Sequence, residues 1–505
     1  MPLSPGERRA VVTVLMVAAT MQATDTTIAN VALPRMQGTF SAAQDQMTWV
    51  LTSYIVAAAI TIPLTGWLAD RFGRKRVFLF SIIGFTMASA LCGMAESLGQ
   101  IVLFRVLQGI CGAALMPLCQ AILLDIYPRE QHGRAMAMFS IGVFVGPLAG
   151  PILGGYLTDH YSWRWVFYIN LPLGVLASLG VMRVFRDAAQ RRRDPFDFFG
   201  FATLSIAIGA LQLLLDRGSV KDWFGSTEIC IEAAIALFAL YLFVVHALTS
   251  DHPFVRLALF RDRNFVTGSL FMIVVGCVTF GCLALVVEML QGLMGYSVMD
   301  SGLVTFPRAL SSLALMVVMA SAIRVVDPRL LVAIGFLITS YSMWSMSHFA
   351  LMMGTNAVIL TSLWSGLGTS LCTVPITAIA FSTLPSAWRN ESSAVYSLGR
   401  NLGSSAGISL VQTLLVRNTQ IQHAVLAEHL TPYRLDVLRH SLVYGAYQHA
   451  SLLQLNSEIT VQAGMVAYVD DYHLMFVLTL VLLPLLLILR KPGGAPADLQ
   501  HELVE

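Results

Sequence analysis

Seven ionisable side chains lie inside otherwise apolar stretches of the chain: Asp25, Arg105, Asp125, Glu232, Glu288, Arg308 and Arg400. A charge in hydrocarbon is costly, so such groups must face a cavity or one another. The chemistry open to them is proton exchange. Burial favours the protonated form of a carboxyl, a nearby guanidinium favours the ionised form, and moving one relative to the other switches the group. Around Asp25 the segment is unusually polar, with Gln22, Thr24, Thr26, Thr27 and Asn30, and a helix facing only lipid would not tolerate them. Arg105 is followed by Gln108, Gly109, Gly112 and Ala113, a small-residue face beside a cation. Counting from the outer ends of their segments at roughly 1.5 Å per residue, Asp25 lies about 13 Å deep and Arg105 about 8 Å, so a pair is within reach. Glu288 and Arg308 are placed for a similar pair. The alternative is a set of static, satisfied charges that holds helices together. No histidine, cysteine or carboxylate cluster has catalytic or metal-binding spacing, so neither an enzyme nor a metal site is expected.

Two further patterns bear on mechanism. The turn Gly66-Trp67-Leu68-Ala69-Asp70-Arg71-Phe72-Gly73-Arg74-Lys75-Arg76 combines a small residue for close helix approach, an aspartate at a helix end, a glycine for a tight turn and four cations. Anchoring at the inner leaflet accounts for the cations but not for the aspartate or the glycines. Further on, Gly142, Gly146, Gly150 and Gly154 recur every four residues, with Pro147, Pro151 and Gly155 interleaved. That spacing lines one helix face with glycines, and the prolines bend the helix. A plain packing face and a moving interface both fit, and the paired prolines favour the second.

The elements that position these residues follow from composition. Of 505 residues 56% are hydrophobic and 12% charged, with mean hydropathy +0.71, whereas soluble proteins carry about 25% charged residues. This is an integral membrane protein. Apolar stretches of about 20 residues fall near 10–34, 47–69, 77–95, 100–126, 134–157, 164–184, 198–215, 228–249, 264–290, 302–323, 329–349, 354–381, 392–416 and 472–489. Lipid demands internally bonded backbone, so these are predicted helices, fourteen in all. With both termini cytoplasmic, most lysines and arginines fall in inner loops, and the short outer loops keep only Arg35, Arg164, Arg217 and Lys221. An odd number of spans would destroy that bias. The first apolar run lacks a cleavage site and reads as a span, not a leader. The cysteines read as core fillers, and the charge balance of 31 basic to 29 acidic residues gives no sign of a nucleic-acid partner. Arg191-Arg192-Arg193-Asp194-Pro195 reads as a connector, and Arg417 to Asp471 as an outer loop of about 55 residues, far longer than two neighbouring helices need, in which stretches such as His423 to Leu430 could form helical turns.

The motifs together resemble those of the major facilitator superfamily, specifically its fourteen-helix drug/proton antiporters. Asp25-Thr26-Thr27-Ile28-Ala29-Asn30-Val31-Ala32-Leu33-Pro34 resembles the first-helix motif, Gly66 to Arg76 the inner-turn motif, Arg105 to Ala114 the fourth-helix motif, and Gly142 to Gly155 the antiporter motif. Trp163-Arg164-Trp165, Asn170-Leu171-Pro172, Leu215-Asp216-Arg217-Gly218, Asp222-Trp223-Phe224 and Arg263-Asn264-Phe265 extend the likeness towards EmrB-type permeases over nearly the whole chain. The resemblance implies an all-α major facilitator fold: a six-helix bundle over 1–187, a connector and two central helices over 188–255, and a second bundle over 256–505 carrying the outer loop 417–471. It implies proton-driven export of hydrophobic or amphipathic compounds from the bacterial inner membrane by alternating access, without a cofactor, alongside a periplasmic adaptor and an outer-membrane channel. In that scheme Asp25 binds protons or substrate with Arg105 as its partner, and Gln108, Asn30, Glu288 and Arg308 complete the coupling set. Gly66, Asp70, Arg71, Gly73 and Arg74 form the inner gate, and the span-five glycines and prolines form a hinge-like interface between bundles. The second-half counterpart of the gate is reduced to Arg324, Asp327 and Arg329, and Glu288 stands where such permeases often have an uncharged residue. A non-transporting sensor, an exporter of one endogenous metabolite and an importer are the competing readings.

Overall fold

A computed structural model describes residues 5–42, 44–128, 131–185, 195–218, 220–323, 325–428 and 448–488. Arg191 to Asp194 of the expected connector, and Arg324, lie outside the described residues. The described chain is helical throughout, without strands. Among the described residues eleven helices are long and apolar enough to cross a membrane, or twelve if the bent pair Trp49–Thr61 and Leu64–Phe72 is one span. This is fewer than the fourteen apolar stretches of the sequence. The helices His132–His160 and Arg389–Glu428 occupy two of the expected positions but fall outside that set. The second is rich in serine, glycine and charged residues, which lowers its hydropathy below that of a lipid-facing span, whereas the first carries the glycine-proline stripe and is apolar and uncharged from Ala135 to Tyr156.

In the first half, α1 (Pro5–Phe40) runs unbroken through Asp25. α2 (Trp49–Thr61) and α3 (Leu64–Phe72) meet at a bend of 55° beside Pro63, which has no backbone donor to give the helix ladder. α4 (Arg74–Met94), α5 (Leu98–Gly112), α6 (Leu115–Ile126), α7 (His132–His160) and α8 (Asn170–Val184) follow. α1 packs on α7 and α8, and α5 packs on α2 and α4. α9 (Phe198–Arg217) and α10 (Thr227–Thr249) pair with each other. The N-terminal end of α9 and the C-terminal end of α10 are tied at Asp197, whose carboxylate accepts from Gly200 N at 2.8 Å and Phe254 N at 2.9 Å and meets His246 Nε2 at 2.9 Å.

The second half comprises α11 (Arg263–Glu288), continued by a π turn over Met289–Leu293, then α12 (Val298–Ala322), α13 (Pro328–Met346), α14 (Thr355–Ala380), α15 (Arg389–Glu428) and α16 (Gln448–Val481). α11 packs on α15, α14 packs on α12 and α13, and α16 lies against α13 and α15. Contacts between halves run from α7 to α12 and α14, and from α3 and α6 to α15. The added helices bridge both halves: Thr52 on α2 bonds Asp216, Gln212 Nε2 donates to Ser405 Oγ at 2.7 Å, and Trp223 Nε1 donates to Thr413 Oγ1 at 2.7 Å.

In the segment Arg417 to Asp471 the helical structure extends well beyond the expected turns near His423. α15 continues to Glu428, and α16 already begins at Gln448. Residues 417–428 contain no proline or glycine, so nothing stops the helix at the membrane surface. His423 Nε2 and Asn456 Oδ1 lie 3.1 Å apart across the two helices, which run as an antiparallel pair. The rest of the expected loop, 429–447, lies outside the described residues.

Candidate functional site

α1, α5, α8 and α4 converge on Asp25. Its carboxylate is fully buried, at 0% exposure, and Arg105 beside it is 1% exposed. Arg105 Nη1 donates to Asp25 Oδ2 at 2.8 Å, and Gln108 Nε2 and Asn170 Nδ2 each donate to Oδ1 at 2.8 Å. The amide of Gln108 is oriented by its other end, because Oε1 accepts from Arg105 Nη1 at 2.8 Å. Asn170 also donates to Ser89 Oγ at 3.0 Å, and Ser89 donates to Phe167 O at 2.9 Å. Arg105 is fixed from the far side by Nε donating to Val50 O at 3.0 Å and by stacking over the Tyr54 ring, 4.3 Å from its centroid. A buried charge pair is tolerable when its remaining valences are filled in this way.

Every contact to Asp25 is a donor. An ionised carboxylate accepts only, whereas the protonated acid needs an acceptor for its own hydrogen. A proton at Asp25 would cancel the charge that holds the Arg105 guanidinium and would need an acceptor of its own, so it weakens the three contacts, which come from α5 and α8. Asp25 and Arg105, paired by their depth along the chain, and Gln108 of the fourth-helix motif come together in the structure. Asn30 is not part of the group. It is exposed on α1 together with Thr26, one turn earlier, and polar residues at that depth face a water-filled path more readily than lipid.

The inner-turn residues form a second site, joined to the opposite half. Asn390 Nδ2 donates to Asp70 Oδ1, Arg74 Nε donates to Asn390 Oδ1 at 2.6 Å, and Arg74 and Arg389 both pair with Asp125. Arg389 Nη1 also donates to Leu124 O at 3.0 Å. Gly66 lies so close to α15 that an added Cβ would sit 3.1 Å from Glu391 Cα, and Glu391 in turn holds Arg256, with Nε to Oε2 at 3.5 Å. Arg71 is exposed. Asp125, Arg389, Asn390 and Glu391 were not in the predicted gate. Gly73 has φ of +91°, in the region where side chains are strained. Gly73→Val therefore costs about 1 to 3 kcal/mol at the turn that joins α3 to α4. The expected result is slower transport with unchanged substrate affinity, and equal losses in a binding assay and in turnover would contradict it.

The glycine stripe faces α1 rather than the other half, which corrects the expected bundle interface. Added Cβ atoms at Gly142, Gly146, Gly150 and Gly154 would meet Met16, Ala23, Thr27 and Ile28 in turn. Thr20 Oγ1 donates to Gly142 O at 2.9 Å and Thr27 Oγ1 to Gly146 O at 3.4 Å, cross-helix bonds that the close approach allows. α7 reaches the other half through α12 and α14. Pro147 and Pro151 lie within the α7 helix, and Gly155 has open space around it. An added side chain at Gly146 would approach the Ala23 carbonyl carbon to 2.5 Å. Gly146→Leu should therefore destabilise the folded protein by about 2 kcal/mol or more, read as a lowered melting temperature in detergent, and an unchanged melt would make the stripe incidental.

In the second half the expected Glu288–Arg308 pair is absent. Arg308 Nη2 donates to Thr279 O at 2.9 Å, nine residues before Glu288 on α11. That places the guanidinium roughly 13 Å from the level of Glu288 along the helix. Glu288 is exposed. Arg400 is half-buried on α15 beside Tyr396. Asp327 caps α13 by accepting from Arg329 N at 3.0 Å.

Comparison with known proteins places this geometry. A family profile described as Major Facilitator Superfamily matches residues 15–408. The chain is 35% identical over 499 residues to the multidrug export protein EmrB of Escherichia coli K12, covering 97% of each chain. It is 37% identical over 434 residues to EmrB of Haemophilus influenzae, covering 86% of this chain and 85% of that one. Over 476 residues it is 34% identical to the fatty acid resistance protein FarB of Neisseria gonorrhoeae, covering 94% of each. Among solved structures it superposes on the proton:xylose symporter XylE with a TM-score of 0.63 at 12% identity, covering 100% of both chains. On the human organic anion transporter MFSD10 the TM-score is 0.62 at 14% identity, covering 94% of this chain and 100% of that one. At such identities the structures speak for the fold alone. Profile, near full-length relatives and helical architecture agree: this multi-pass membrane protein, a transporter and not an enzyme, belongs to the major facilitator superfamily, in its branch of EmrB-type multidrug efflux permeases.

Proposed function

We propose that the protein is a proton-coupled antiporter that exports hydrophobic or amphipathic compounds across the bacterial inner membrane by alternating access, with no cofactor beyond the proton gradient. In this reading the chain crosses the membrane fourteen times with both termini inside. Bundles 1–187 and 256–505 rock about each other, and the helices of 188–255 staple them. The observation that carries the proposal is the sealed Asp25 group. A proton on Asp25 removes the charge that three donors on α5 and α8 share, which loosens α1 from those helices and links protonation to helix movement without a further device.

The two sites fit one state of such a cycle. Asp70, Arg74 and Asp125 are tied to Arg389 and Asn390, which closes the inner side, while Thr26 and Asn30 are exposed on α1. An outward-facing conformation has this combination. Everted membrane vesicles test the reading. A lipophilic fluorescent compound should accumulate inside when respiration acidifies the lumen and should leak out when a protonophore collapses the gradient. Accumulation that ignores the protonophore, or none at all, rejects it.

The proposed partners are a periplasmic adaptor and, through it, an outer-membrane channel. α15 has 40 residues, roughly 60 Å of helix against a hydrocarbon core of about 30 Å, so its pairing with α16 projects beyond the membrane. That projection supplies a docking surface. A photo-crosslinking residue at Val425, exposed on α15, should capture the adaptor in cells that express both. Capture of none would leave the projection as a lid over the outer cavity.

A further inference from the structure

The second half contains a buried acid of its own. Asp471 is 1% exposed, turned inward from α16 while its neighbour Asp470 is exposed. Neither of its carboxylate oxygens has a hydrogen-bond partner, and the hydroxyl of the adjacent Tyr472, at 0% exposure, has none either. Two strongly polar groups buried side by side without partners are costly, and native proteins keep few of them without a purpose. The cluster that holds Tyr472 and Tyr468 on either side of Asp471 is apolar: Met343 and Met346 from α13, Phe349 after it, Val411 and Leu415 from α15, and Leu285 and Met289 from α11 and its π turn. Burying an isolated carboxylate charge there would be prohibitive, so the group has to carry a proton or meet a cation.

The titratable and charged neighbours are few. On α16 itself Asp470 and Tyr468 act on Asp471, and Glu288 from α11 acts on Tyr468. Tyr472 feels Cys282 of α11, Tyr468 and Asp471, with Arg308 of α12 as the cation of the set. Arg308 is spent on the Thr279 carbonyl at 2.9 Å, so no guanidinium compensates Asp471 as Arg105 compensates Asp25. The first half thus holds an acid saturated with donors, and the second half an acid with none. Glu288 is exposed at the edge of the group, and Tyr468 and Tyr472 stand one helical turn apart, each able to accept and donate a proton.

We propose that Asp471, served by Tyr468, Tyr472 and Glu288, is a second proton-binding site, so that each transport cycle carries a proton on either half of the molecule. The stoichiometry rests on the antiport reading, whereas proton binding at Asp471 does not.

Difference infrared spectroscopy of the purified full chain across a pH titration separates the two. The wild type should show a protonated-carboxyl C=O band that Asp471→Asn removes and Asp25→Asn leaves in place. Asp471→Glu should move the band rather than abolish it, which guards against a variant that merely misfolds. If no titrating band depends on residue 471, or if sodium rather than pH removes it, the site is not a proton site. In liposomes, the number of protons exchanged per substrate, from the reversal potential, should fall from two to one in Asp471→Asn with substrate affinity unchanged. A band lost with the ratio unaltered would make Asp471 a static buried acid and overturn its place in the cycle. A wild type that binds the proton at 471 but moves none across the membrane would defeat the antiport reading and leave the site standing.

Discussion

Replacement of Asp25 by asparagine should bring proton-driven efflux to the level of vesicles without protein, although the fold is kept. Asparagine is nearly the same size as aspartate, and its carbonyl oxygen can still accept from Gln108 or Asn170. Its amide, however, turns two hydrogens towards the position that Arg105 Nη1 now fills at 2.8 Å from Asp25 Oδ2. The variant cannot bind and release a proton, so it is held permanently in the state that protonation would create. Downhill substrate exchange between two sides of a vesicle needs no proton and should persist. Efflux still driven by the gradient at the original rate, in a variant expressed at the normal level, would remove Asp25 from the coupling step.

Arg105→Ala should be nearly as severe, for a different reason. Removing one member of a buried ion pair leaves the other uncompensated, at a cost of about 3 to 5 kcal/mol, a factor of more than about 100 in the balance of states. Asp25 then has no counter-charge, Val50 O loses its donor, and the Tyr54 ring loses the cation over its face. Arg105→Lys should recover only part of the activity. One ammonium cannot at the same time reach Asp25, Gln108 Oε1 and the Val50 carbonyl, the three acceptors that the planar guanidinium serves. Transport by Arg105→Ala at the wild-type rate, measured in the same vesicles, would show that the pair is an inert strut.

What was legible in the sequence follows from how each residue announces itself. Asp25 and Arg105 stand out because a charge inside an apolar run has few innocent explanations, and Gln108 lies one helical turn from Arg105. Asn170 was quoted only within the Asn-Leu-Pro match, since an asparagine just before Leu-Pro reads as an ordinary helix start, and Ser89 is one small polar residue in an apolar helix. Arg389, Asn390 and Glu391 close the inner turn from more than 300 residues away, and nothing local to either segment encodes that pairing. Glu288 and Arg308 were matched by counting depth from the ends of their spans, a method that ignores where a long side chain finds its acceptor. Asp471 was hidden by its company: Asp470-Asp471-Tyr472-His473 looks like the polar edge of a loop, and only the inward turn of α16 separates the two carboxylates.

The central claim, that substrate and proton move in opposite directions through Asp25, is tested most directly by lumen pH in proteoliposomes. Purified protein is reconstituted with an internal pH dye and no starting gradient, and a substrate compound is added outside. Inward movement of the compound must expel protons, so the lumen should become alkaline, and neither Asp25→Asn vesicles nor protein-free liposomes should follow. A lumen that acidifies, or that stays at its starting pH while labelled substrate enters, would contradict the account.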